Sequence, residues 1–137
     1  MSPRTAFLGK LFGLYLIAVS LSIFAHARAT VEIMKAIIQD PPLLFIAGLM
    51  GMTAGLAIIL THNVWSGGAL PIIVTLFGWV SLIKGTLLLT LSPETESRVF
   101  IVKLHYEDHP NLYAAFALLL GVYLTYAGFS STTRPVK

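Results

Sequence analysis

The sequence predicts an all-α integral membrane protein, a four-helix bundle built from two tandem units. Three observations carry that reading. Four stretches are apolar enough to cross a bilayer; 56% of the 137 residues are hydrophobic and only 11% charged; and the chain repeats itself at a nearly fixed offset. A soluble domain ordinarily carries about 25% charged residues. This chain has too little polar side chain to coat a water-exposed surface, so lipid must solvate it.

The first apolar stretch, residues 11–24, follows Arg4 and Lys10 and ends in Ala25-His26-Ala27. That is the layout of a cleavable signal peptide, and the repeat argues against it. Shifting the chain by 68 positions places residues 31–47 (VEIMKAIIQDPPLLFIA) on residues 99–115 (VFIVKLHYEDHPNLYAA) without a gap. Lys35/Lys103, Asp40/Asp108 and Pro42/Pro110 are among the identities, and apolar composition alone would not align a lysine, an aspartate and a proline. Upstream, at an offset of 65, Leu11-Phe12-Gly13 matches Leu76-Phe77-Gly78 in the third span. A leader has no reason to share a motif with an internal helix, so the first stretch is expected to stay as a span over residues 5–27.

The remaining spans are expected at 43–62, 70–91 and 111–129. Each is long enough for a hydrocarbon core of roughly 30 Å at 1.5 Å per residue. Of these three, none holds an acid and only one holds an interior base, Lys84. The whole chain, 1–137, reads as one transmembrane domain with repeat units at 5–62 and 70–129. Two crossings per unit give both units the same orientation, with a pseudo-twofold axis along the membrane normal.

Within each unit a polar-apolar segment joins the spans. Residues 27–39 set Val31, Met34, Ile37 and Ile38 at helical spacing against Arg28, Glu32 and Lys35, an amphipathic helix suited to the interface. Residues 94–106, with Val99, Val102, Lys103 and Tyr106, are its counterpart. Asp40 and Asp108 each precede a proline at a helix start, where a carboxylate caps free N–H groups.

Basic residues divide evenly: Arg4, Lys10, Arg134 and Lys137 on the terminal side, Arg28, Lys35, Arg98 and Lys103 on the other, which also holds all six acids. The basic residues leading the first helix orient it. Both termini and the 62–68 loop are therefore expected in the cytoplasm of a bacterial inner (cell) membrane.

Gly51 and Gly55 in span two, and Gly78 and Gly85 in span three, are small residues at spacings that let helix backbones approach. The loop THNVWSGG offers Thr61 and His62 to the last carbonyls of span two and Trp65 to the headgroup level. His62 is also a candidate contact for a metal, a haem or a headgroup, but no second ligand accompanies it. His105 and His109 are four apart, a spacing that Pro110 interrupts. With no cysteine in the chain, thiolate chemistry is excluded, and no cofactor or metal is expected. The net charge of +3 comes without a basic cluster interleaved with aromatics, so nucleic acid is excluded as a partner.

Lys84 is the intramembrane charge. Its side chain either snorkels to the nearer interface, faces the bundle near hydroxyls such as Ser20 or Thr53, or contacts an anionic ligand or partner. Its repeat counterpart, Val19, is apolar.

His62-Asn63-Val64-Trp65, followed by a proline and by Gly78-Trp79-Val80-Ser81-Leu82-Ile83-Lys84-Gly85, resembles a group of uncharacterised small four-span bacterial integral membrane proteins, mainly over spans two and three. Each unit is more loosely similar to the two-span DUF2065 family, with its span, amphipathic helix, proline turn and span. The resemblance implies a membrane fold and no activity, and it assigns no site residue. The expected function is that of a non-enzymatic structural or accessory subunit, contacting membrane lipid and associating as a homo-oligomer or with a larger membrane complex. The alternative is a transporter or channel subunit with a site between the repeats near Lys84. An enzyme would call for paired histidines within the spans or clustered carboxylates, and the sequence has neither.

Overall fold

The computed structural model describes residues 2–91 and 109–130. These form α1 (Pro3–Ala25), α2 (Ala27–Gln39), α3 (Pro41–Thr61), α4 (Ala69–Thr90) and α5 (Pro110–Ser130). The four long helices are each long and apolar enough to cross a membrane. The second expected amphipathic segment, with Asp108 and His105, lies outside the described residues.

Three of the long helices open on proline, whose missing N–H is one of the donors a first turn leaves unpaired anyway. Ser2 Oγ caps α1 by accepting from the Thr5 N–H at 3.2 Å, and Asp40 Oδ1 caps α3 by accepting from the Leu43 N–H at 3.1 Å. These opening turns carry α3 and α5 slightly ahead of the boundaries that hydropathy alone gives.

The first span is shorter than expected at its far end. At His26 the backbone leaves the helix (φ −140°, ψ 51°). The His26 N–H still reaches the Ser22 carbonyl at 3.0 Å, and its own carbonyl accepts from the Thr30 N–H, so α2 starts directly in a new direction. None of the residues in α2 is buried.

The long helices associate most extensively as two pairs, α1 with α5 and α3 with α4. Both are antiparallel: Lys10, Gly13 and Ile17 meet Gly128, Thr125 and Gly121 in reverse order, and Gly78, Leu82 and Gly85 meet Ile58, Gly55 and Gly51 likewise. The pairs share some symmetry: exchanging α1 with α4 and α3 with α5 matches contacts of one pair with contacts of the other and keeps the α1–α4 seam. On that seam the rings of Phe12 and Phe77, the residues matched at offset 65, stack at 5.4 Å and 9°. Ile17 faces Gly121, and 65 residues on Leu82 faces Gly55. Gly121 thus takes the place of Gly55 at an offset of 66, so the second spans slide by two residues relative to the match of 68 in the segments before them.

The buried core, with Ile58, Leu70, Val74 and Leu124, sits toward the end bearing the 62–68 loop. The periphery is apolar and open: Leu60, Tyr126, Phe116 and Met50 stand outward, where lipid solvates them.

Candidate functional site

The end of the bundle nearest the core also holds a cluster of buried polar side chains, Thr5, His62 and Thr75. His62 follows α3 as its cap residue and is 3% exposed. Its Nε2 lies 3.3 Å from the Pro71 carbonyl in α4. A carbonyl can only accept, so Nε2 carries the ring proton and Nδ1 is an acceptor. The Thr5 hydroxyl of α1 donates to Nδ1 at 3.5 Å, and Thr5 Oγ1 accepts in turn from Ser2 Oγ at 2.8 Å. One imidazole thus joins α1, α3 and α4. Both ring nitrogens are engaged inside the bundle, and a metal or headgroup would have to displace one of these bonds.

The loop after His62 is held from below. Thr75, fully buried in α4, accepts from the Val64 N–H and donates to the Val64 carbonyl, both at 3.0 Å. Trp65 stands exposed, its indole N–H donating to Asn63 Oδ1 at 2.8 Å. Gly67 and Gly68 have φ of 90° and 117°, values that favour glycine and turn the chain into α4. Thr61 donates its hydroxyl to the Ala57 carbonyl at 2.6 Å, a bond back onto its own helix. Thr5, Pro71 and Thr75 were not singled out in the sequence. A threonine on an apolar helix face gives no sign of its partner, since the loop it holds lies eleven residues away.

Lys84 is exposed and lines a groove of about 180 Å³. The other walls are Met34, Ile37 and Ile38 of α2, Leu44 and Ala47 of α3, and Leu88 of α4. The groove is therefore made by the first unit's α2 and α3 together with the second unit's α4. Ser20 and Thr53 are not on its walls. Ser20 is buried in α1 and donates to the Leu16 carbonyl at 2.7 Å, and Thr53 is exposed on α3.

Gly51, Gly55, Gly78 and Gly85 all lie at the α3–α4 crossing. A Cβ at Gly85 would strike the Met52 backbone nitrogen, and one at Gly55 the Leu82 nitrogen. The sequence reading did not include the counterpart crossing, where Gly13 and Gly121 meet backbone to backbone. Its signal was present as Gly9-x-x-x-Gly13, within the stretch that resembles a leader.

Among the described residues no group of three or more His, Asp or Glu side chains could hold a metal ion. No family model, no curated protein and no solved structure matches the chain.

Proposed function

We propose that the protein is a non-enzymatic accessory subunit of a bacterial inner membrane, built from a duplicated two-span unit and seated in a homo-oligomer or a larger membrane complex, with both termini cytoplasmic. One observation carries this reading. Among the described residues the buried polar side chains Thr5, Ser20, His62 and Thr75 are bonded to the bundle's own helices and loop, and of the buried side-chain polar atoms Thr125 Oγ1 alone finds no partner there. An interior spent on holding helices together suits a scaffold, and the apolar periphery leaves ample surface for lipid and for other spans. The stacked Phe12 and Phe77 and the matching helix pairs support the duplication. Copurification from mild detergent after in-membrane crosslinking tests the role. A defined homo-oligomer or larger assembly is expected; an isolated monomer after efficient crosslinking refutes it.

The Lys84 groove favours a second reading, a transport or channel subunit, because it places an intramembrane ammonium between residues of both units. Lys84→Met separates the two. Ion flux in liposomes that disappears while the assembly persists supports transport; unchanged behaviour removes Lys84 from the site.

A further inference from the structure

The two helix pairs leave an open seam on the lipid-facing side, between α1 and α3. There a groove of about 330 Å³ runs between Leu8, Leu11 and Phe12 on α1 and Ala54, Ala57 and Thr61 on α3. Through Leu8 and Thr61 it continues into a second recess of about 530 Å³ whose walls add Arg4 and Phe7. From Thr61 to Ala54 the floor extends about 10 Å along the helix, roughly two-thirds of one leaflet of a 30 Å core. An apolar slot therefore ends, at the helix-terminal edge of the bundle, beside an exposed guanidinium.

We propose that this cleft binds an anionic phospholipid, its acyl chain along Leu8, Leu11 and Ala57 and its phosphate at Arg4.

Charge complementarity favours that occupant. Residues 1–31, 41–93 and 109–137 contain no Asp or Glu, so the sequence adjoining this end of the bundle has no carboxylate, and Arg4 and Lys10 set its sign. Guanidinium is suited to phosphate by its planar array of donors. A further helix is a poorer occupant. Close helix contacts in membranes need small residues on the facing surfaces; α3 offers Ala54, Ala57 and Thr61 here, but the α1 wall is Leu8, Leu11 and Phe12, and Gly9 and Gly13 of α1 are turned to neighbours inside the bundle. The two units differ here. At an offset of 65 Arg4 is replaced by Ala69, so α4 brings no cation to the related seam where α1 brings Arg4. Lys10 is placed differently, its ammonium 4.5 Å from the Phe129 ring centroid. The site stands independently of the accessory role, since a lipid slot serves a lone bundle as well as a subunit.

The test uses the full chain reconstituted in vesicles of equimolar phosphatidylglycerol and phosphatidylcholine, then extracted in mild detergent for native mass spectrometry of retained lipid. A basic side chain at an anionic surface gives a preference of about fivefold, and wild type should retain phosphatidylglycerol over phosphatidylcholine by that factor. Arg4→Gln should bring the ratio to near one while a lipid is still retained, and Arg4→Lys should keep most of the preference. Ala57→Phe, a change at an exposed position away from the α3–α4 glycines, should remove both lipids and leave thermal unfolding in detergent unchanged. Should that variant unfold, Ala54→Phe fills the same slot. Equal retention of the two lipids by wild type, a preference that survives Arg4→Gln, or one lost instead with Lys10→Gln would overturn the site.

Discussion

The two helix pairs have related geometry and unlike chemistry. In α3–α4 the crossing is backbone against backbone: Gly85 lies against Gly51 and Met52, and Gly55 against Leu82. In α1–α5, Gly13 lies against Gly121 and Thr125, the Thr125 hydroxyl is buried with no hydrogen-bond partner among the described residues, and Lys10 sits over Phe129. The first pair is a hairpin closed by the loop after His62. The second joins the two ends of the described chain. What the pairs share is a small residue wherever backbones approach, the requirement for helix association in lipid, where apolar burial between helices adds little. The geometry constrains those positions and leaves the rest of each interface free to differ.

The largest effect should come from Gly85→Val. Its Cβ would fall on the Met52 backbone nitrogen, and backbone cannot step aside as a side chain can. A loss of about 3 kcal/mol, at the upper end for overpacking, is expected in denaturant-driven unfolding from mixed micelles. Gly13→Val should cost about as much, because it meets the Thr125 backbone nitrogen and the Gly121 carbonyl. A large loss in one variant and a negligible one in the other would break the equivalence of the pairs.

His62→Ala acts between the pairs rather than within one. It removes the side chain that reaches Pro71 and Thr5 together and leaves a cavity. A loss of about 2 kcal/mol is expected by the same measurement. If the imidazole matters only as filler, His62→Phe should restore the stability; if the bonds matter, it should not.

These outcomes bear on how much of the molecule was legible beforehand. The spans were plain because crossing a bilayer imposes a length and an apolar composition that few other constraints produce. The amphipathic α2 and the Asp40 cap were legible for the same local reason, as spacing and a proline. Gly51, Gly55, Gly78 and Gly85 could be proposed as packing residues, but their common crossing could not be inferred, because spacing along one helix does not identify the helix opposite. The α1–α5 crossing was missed, since its glycines lie more than a hundred residues apart in the chain. His62 was noticed as a candidate ligand, whereas its engagement by Thr5 and Pro71 depends on three helices converging. That information is tertiary, and no local pattern carries it.

Thr125→Val sharpens the contrast between the crossings. Valine has nearly the shape of threonine and removes a buried hydroxyl that has no partner among the described residues. A gain of about 1 kcal/mol is expected, the cost of leaving such a group unsatisfied. The change would remove a buried hydroxyl from the α1–α5 crossing. A loss instead would mean that the hydroxyl is bonded within the membrane and that the two crossings differ in kind.

The smallest effect, at Gly51, separates two glycines that look interchangeable in sequence. Gly51 and Gly55 form one small-residue pair, and a motif reading assigns them equal weight. The structure does not. A Cβ at Gly55 would strike the backbone nitrogen and Cα of Leu82, whereas one at Gly51 would sit 3.4 Å from the Gly85 Cα, an ordinary contact. Gly55→Ala should therefore lose about 2 kcal/mol through overpacking. Gly51→Ala forces nothing apart, and it narrows the unfolded chain's conformations, a gain of about 0.5 kcal/mol where the helix already suits alanine. The two variants should move stability in opposite directions, read side by side in the same micelles. Equal losses would mean that the helices cross closer to Gly51 than the structure places them, with Gly51 and Gly55 gripping α4 together. A gain at Gly51 beside a loss at Gly55 would show that α3 needs its glycine against Leu82, whereas one turn away it is Gly85 of α4, not Gly51, that makes room for the approach.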